Sequence, residues 1–152
     1  MHVVAEAVEE LDVKLLHPHA RAPERSREGD AGYDLRCLEG FVLAPGERML
    51  VATGVAIALA DGTAGLVLPR SGLAIRHGVT TLNAPGLIDP SYRGEVKVIL
   101  HNAGTEPYEA HAGDRIAQLL LVAYRSPATR VVDELPASSD GRGDRGFGSS
   151  GR

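Results

Sequence analysis

The sequence predicts an all-β fold: a jelly-roll β-barrel or sandwich with one short helix and a flexible, Gly-rich C-terminal tail. Three observations predict it. The apolar runs are short and punctuated by Gly, Pro and Asp-Gly signals. Apolar residues at helical spacing are almost absent. Beyond Leu135 the composition changes to Ser, Asp, Gly and Arg, and Phe147 is the one large apolar residue left. The chain therefore divides into a domain over 1–136 and a tail over 137–152. The tail has too little apolar surface to offset the entropy of ordering it.

The elements follow in order. A short helix through Ala5 to Leu11 is conceivable, and Val13 to Leu16 reads as the first strand. His17 to Gly29 carries Pro18 and Pro23 and reads as an irregular surface segment. Ala31 to Leu35 is a short strand holding one acid, Asp34. Strands at Gly40–Leu43, Arg48–Ala52 and Val55–Ala60 are separated by Pro45-Gly46 and Thr53-Gly54, and Asp61-Gly62 ends the third. Val55 to Ala60 sets larger residues on one face and alanines on the other, as suits a strand packed between two layers. Leu66 to Leu68 ends at Pro69, and Ser71 to His77 fits one or two helical turns with Ser71 as N-cap. Val79–Leu82, Glu95–His101, Tyr108–Ala110 and Ile116–Tyr124 complete the strands, with a further one at Thr129–Val132. No internal repeat is present.

Composition narrows the function. The 152 residues fit one domain with a sizeable core. No apolar run approaches the ~20 residues of a membrane span. Glu6, Glu9 and Glu10 near the start argue against a secretory signal. The single cysteine, Cys37, rules out an internal disulfide and fits a reducing, cytoplasmic setting. No thiol motif surrounds it, so it reads as a small core residue. The net charge of −4 and the lack of Trp disfavour polymeric nucleic acid as a partner. A small anion held by a few Arg and backbone N–H groups remains open.

Five stretches hold the candidate chemistry. The chain is organised around Pro85 to Leu100, PGLIDPSYRGEVKVIL, read as a hairpin that opens on a Pro-Gly turn and closes on a half-buried strand. Asp89 and Tyr92 share its loop. They are either a base beside a stacking ring or a turn Asp beside a structural Tyr. Pro69-Arg70-Ser71-Gly72 opens the one helix and is either an anion site or an ordinary Ser cap. Asp34 is a lone acid at a strand. Gln118, in an otherwise apolar strand, needs a partner, structural or ligand. In the tail, Arg142 and Phe147 have the chemistry of a phosphate clamp with a stacking lid, while the composition is that of a disordered linker. There is no P-loop and no nucleophile elbow. His17 and His19 lack the further ligands that a zinc site needs. Arg142-Gly143-Asp144 spells an adhesion tripeptide by coincidence.

AGYDL (31–35), PRSGLA (69–74), GLIDPSYRGEVKV (86–98), GDRIAQLLL (113–121) and RGDRGFGSSG (142–151) together resemble the five motifs of the trimeric dUTPase family, in the family's order. The resemblance runs from about Val13 to Gly151. It implies a jelly-roll homotrimer with active sites shared between subunits. It implies cleavage of dUTP to dUMP and pyrophosphate with Mg²⁺, which supplies the dTMP precursor and keeps uracil out of DNA. Asp89 would be the general base acting on the water that attacks the α-phosphorus. Tyr92 would pack on the deoxyribose and exclude a 2′-hydroxyl, and Asn83, Gly86 and Ile88 would read the uracil edge. Arg70, Ser71, Gly72, Lys97 and Gln118 would contact the nucleotide and its phosphates. Asp34 would hold waters of the Mg²⁺ shell, and Arg142, Phe147, Gly148, Ser149 and Ser150 would close over the substrate.

The chain departs from the family's last motif at Arg145, where Gly is usual. A left-handed backbone there would be costly for Arg. Two other readings share the fold: a dCTP deaminase-like enzyme and a non-catalytic trimer that binds nucleotide. The Gly-rich closing tail with its Phe favours the hydrolase over the first, and Asp89 with the tail favours it over the second.

Overall fold

The computed structural model describes residues 9–148 and Gly151. Ten strands form two four-stranded antiparallel sheets and one two-stranded ribbon. The strands are β1 (Asp12–Leu15), β2 (Tyr33–Arg36), β3 (Phe41–Leu43), β4 (Arg48–Ala58), β5 (Thr63–Leu68), β6 (Val79–Thr81), β7 (Gly86–Ile88), β8 (Glu95–Asn102), β9 (Tyr108–Ala110) and β10 (Arg115–Ala123). One helix, α1 (Ser71–His77), lies between β5 and β6. One sheet has the order β1-β4-β8-β6, the other β2-β10-β5-β7, and β3 pairs with β9. This is the expected all-β jelly-roll sandwich.

Period-two patterning builds the core. In β8, Val96, Val98 and Leu100 are buried while Lys97 faces out. Val55 and Ile57 of β4 join them from the same sheet, and Leu35, Val67 and Leu119 face them from the other. Ala56 is also buried, so both faces of this part of β4 are covered, as its residue pattern predicted. Asn102 is wholly buried with its amide satisfied. It donates to the carbonyls of Leu43 and Glu106 and accepts from the Gly104 N–H. That bonding ties the ribbon to the end of β8 without an orphaned polar group. Cys37 is buried too, and its thiol donates to the His111 carbonyl. Burial pushes the thiol pKa above its ordinary value, so it is a core residue with little thiolate.

Four expectations need correction. Thr53-Gly54 does not end a strand: β4 runs through it. Five residues of β4 (Ala52 to Ala56) span three of β8 (Lys97 to Glu95), so the surplus forms a bulge with Gly54 left-handed at φ 73°. Pro85 to Leu100 is not a hairpin, because β7 pairs with β5 and β8 pairs with β4 and β6. The segment between β7 and β8 therefore crosses from one sheet to the other. Thr129–Val132 is not a strand. Val131-Val132 has the propensity, but a ladder needs a partner edge and the described chain offers none there. Ser71 does not cap α1. Arg70 is the N-cap, without a side-chain bond, and Ser71 is the first helical residue. The expected helix at Ala5–Leu11 falls mostly outside the described residues, and Glu9 to Leu11 are not helical.

Candidate active site

The chain brings the candidate residues together in two groups. The first surrounds Asp89, which follows β7 directly and is exposed. The Asp89 carbonyl accepts the Tyr92 N–H at 3.1 Å, closing a turn that keeps acid and ring in one loop. The Tyr92 hydroxyl donates to the Glu95 carbonyl at 2.9 Å. Outward-facing Lys97 of β8 completes the group. Ile88, Asp89, Tyr92 and Lys97 line one open cavity of about 450 Å³, with Leu50 and Leu87 as apolar wall. A carboxylate, a ring and an ammonium thus surround a space of small-molecule size.

The second group sits where β5 runs into α1. Asp34 of β2 lies opposite Gln118 of β10. The Ser26 hydroxyl donates to Asp34 Oδ2 at 2.7 Å, and Arg115 Nη1 lies 3.7 Å from the same oxygen. The Arg115 carbonyl accepts from Arg70 Nη1 at 3.0 Å. Gln118 Nε2 donates to the Pro69 carbonyl at 3.0 Å, so the partner this half-buried amide needs is main chain. The Arg76 side chain folds back over Gly72, adding charge at the helix start. Partial burial, and then the charge of Arg115, pull the Arg70 guanidinium below its ordinary pKa, with Asp34 opposing. An arginine so placed remains protonated at neutral pH. This group is a cationic cradle around one carboxylate, suited to a polyanion.

A bulge sets the geometry of the second group. Arg115 pairs with Arg36 and Ala117 with Leu35, so Ile116 is an extra residue on β10. Ile116 and Ala117 are consequently both buried. The bulge lets Arg115 and Gln118, an odd number of residues apart, face the same side. Ser26, Arg76 and Arg115 received no role from the sequence. Arg115 stands inside a recognised motif, but nothing local marks it as a neighbour of Asp34. Ser26 reaches Asp34 only because the irregular segment bridges to β2 at Glu24.

Within one chain the two groups stay apart. Gly65 pairs with Ile88 and Val67 with Gly86. β5 therefore leaves toward Arg70 at one end of the pair, and β7 leaves toward Asp89 at the other. Asn83 and Gly86 lie at the Arg70 end. The side-chain hydrogen bonds of the described tail residues all stay within the tail and reach neither group. Arg142 Nε donates to the Arg145 carbonyl at 2.7 Å, and Arg145 Nε to the Arg142 carbonyl at 3.0 Å. Phe147 and Gly148 are exposed, and Ser149 and Ser150 lie outside the described residues. Arg145 avoids the left-handed region; among the described non-Gly residues only Phe147 enters it, at φ 50°. A separate cavity of about 420 Å³ beside Tyr33 and the end of β10 is lined by none of the candidate residues.

Among the described residues no three His, Cys, Asp or Glu cluster as a metal cage would require. No helix among them is long and apolar enough to cross a membrane.

The chain is similar to known proteins in both sequence and overall structure. The dUTPase family model matches residues 18–151. The deoxyuridine 5′-triphosphate nucleotidohydrolase of Thermobifida fusca is 50% identical over 142 residues, 93% of this chain and 78% of the relative. That of Mycobacterium leprae (strain TN) is 48% identical over 147 residues, 93% of this chain and 94% of the relative. Among solved structures, a Staphylococcus bacteriophage 80alpha dUTPase with dUpNHpp superimposes with a TM-score of 0.87 at 32% identity, covering 94% of this chain and 99% of that one. A mutant dUTPase from phage phi11 of S. aureus, described with a structural Mg(II) ion, gives 0.78 at 29% identity over 83% of this chain and 98% of that one. With motifs, fold and sequence in agreement, the chain belongs to the dUTPase family.

Proposed function

We propose that this protein hydrolyses dUTP to dUMP and pyrophosphate, removing uracil nucleotide from the DNA precursor pool and supplying the precursor of dTMP. The observation that carries the reading is the open cavity in which Asp89, Tyr92 and Lys97 meet. Asp89 takes a proton from a water as its oxygen bonds to the α-phosphorus. The bond from that phosphorus to the bridging oxygen breaks, and pyrophosphate leaves with the electron pair. Tyr92 packs on the deoxyribose, while Asn83 and the main chain of Gly86 and Ile88 pair with the uracil edge. Arg70, Ser71, Gly72, Lys97 and Gln118 neutralise and align the phosphates, which is most of what phosphoryl transfer asks of a protein.

Asp34 fits a role toward Mg²⁺ through water. It is a single carboxylate, oriented by Ser26 and placed within a cationic cradle. Mg²⁺ prefers phosphate oxygens and water to an all-protein cage. When bound, the ion would neutralise charge on the triphosphate. Asp34 would accept hydrogen bonds from its waters, and Arg70 and Arg115 would balance the remaining charge.

The separation of the two groups supports a homotrimer in which neighbouring subunits complete each site. Exposed apolar side chains support it too: Leu50, Leu87, Val131 and Leu135 are each at least 60% exposed in one chain. The domain over 1–136 would form the trimer, and the tail over 137–152 would close over bound nucleotide. The lone buried Cys37 is in keeping with a reducing, cytoplasmic setting. Light scattering at micromolar concentration should give three times the 16.0 kDa of one chain; a fully active monomer rejects the assembly. Pyrophosphate release measured across all dNTPs should be confined to dUTP. Ammonia released from dCTP, or tight dUTP binding without pyrophosphate, overturns the proposed activity.

A further inference from the structure

The geometry points to Gly94 as a specificity-determining residue that acts by setting the position of the Tyr92 ring. The inference rests on the reading of Tyr92 as the group that excludes a 2′-hydroxyl. A Cβ built on Gly94 would lie 2.5 Å from the Tyr92 hydroxyl oxygen, 2.7 Å from Cζ and 3.0 Å from Cε2. All three nearest atoms belong to that one side chain, and two of them lie closer than the 3.0 Å that real Cβ contacts essentially never breach. The tip of the ring thus lies directly against the Gly94 α-carbon. Its hydroxyl is anchored one residue further on, at the Glu95 carbonyl.

Backbone conformation does not explain this glycine. Ten glycines here have positive φ, and Gly94 is not one of them. Its φ is therefore outside the left-handed region that favours glycine, and the three atoms a Cβ would meet first all belong to the Tyr92 side chain. Tyr92 is 47% exposed and lines the cavity it shares with Asp89 and Lys97. It has room to swing aside. A methyl at position 94 would displace the ring and cost it the Glu95 bond, while the β-sandwich beneath is untouched. The displaced ring would leave the 2′ space open, so the consequence is loss of discrimination with the fold retained.

The test compares kcat/KM for dUTP and UTP in four proteins: wild type, Tyr92→Ala, Gly94→Ala and the double variant, each with its thermal unfolding curve. Gly94→Ala is expected to unfold near the wild-type temperature. Its dUTP/UTP ratio should fall about tenfold or more, the scale on which a misfitting hydroxyl is rejected. In the Tyr92→Ala background the same substitution should change the ratio less than about twofold, because the two residues act as one unit. If Tyr92→Ala collapses the ratio and Gly94→Ala leaves it within about twofold of wild type, Gly94 has no such role. If Tyr92→Ala itself leaves the ratio unchanged, the sugar filter lies elsewhere and the inference goes with it. Should Gly94→Ala fail to fold, a double variant that folds supports the clash with the ring. A double variant that also fails assigns Gly94 to the backbone and overturns the proposal.

Discussion

Asp89→Asn is expected to bind dUTP normally and to turn it over about 10²–10⁴-fold more slowly, the range a positioned general base is worth. The substitution is nearly isosteric. Asp89 is exposed at the end of β7, so the fold bears little of the change. An Asn side chain still hydrogen-bonds the water but does not take its proton. The loss should therefore appear in kcat, with affinity for an α,β-imido dUTP analogue preserved. Single-turnover kinetics beside equilibrium binding separate the two. A rate within about threefold of wild type, far below that range, removes Asp89 from the role of base.

Deleting residues 141–152 is expected to leave a folded trimer that binds nucleotide but hydrolyses it about 10²-fold or more slowly, the order that imperfect positioning of reacting groups costs. The tail is exposed from Ala137 through Arg145, and Phe147 has no contact with the core, so removing it takes nothing from the sandwich. Arg142 and Arg145 donate to each other's carbonyls rather than to the domain. Bound nucleotide would offer the missing partners: a uracil face for Phe147 and phosphate oxygens for Arg142, Ser149 and Ser150. Closure would shed bulk water and strengthen every charge interaction at the phosphates. Phe147→Ala should show a milder loss. Wild-type turnover in the truncated protein would falsify the lid, and loss of the trimer would make the tail structural instead.

Local pattern was sufficient for much of the fold. The alternation of Glu95 to Leu100 marked β8, because side-chain period two survives any arrangement of neighbouring strands. Tyr108–Ala110 came out as the sequence indicated, and so did a helix over Ser71–His77, though with Arg70 rather than Ser71 at its N-cap. Local signals failed where the partner decides the outcome. Thr-Gly reads as a turn in either of two settings, and only pairing with β8 makes Gly54 part of a bulge. Pro85-Gly86 opens a strand because β5 offers an edge to Gly86–Ile88. Val131-Val132 stays unpaired because no described edge is offered.

The sequence by itself determined the family, the all-β class and the identities of the chemical groups, since motif spacing and residue type are properties of the chain. Which groups meet was decided only in three dimensions. Ser26 meets Asp34 eight positions further along the chain, and Arg70 meets Arg115 forty-five positions further along. The Ile116 bulge turns Arg115 and Gln118 to one face, and the register of β5 with β7 sends Arg70 and Asp89 in opposite directions. Register and bulges follow from packing two sheets around one core. They depend on the volumes of residues far apart in sequence, and no local window contains them.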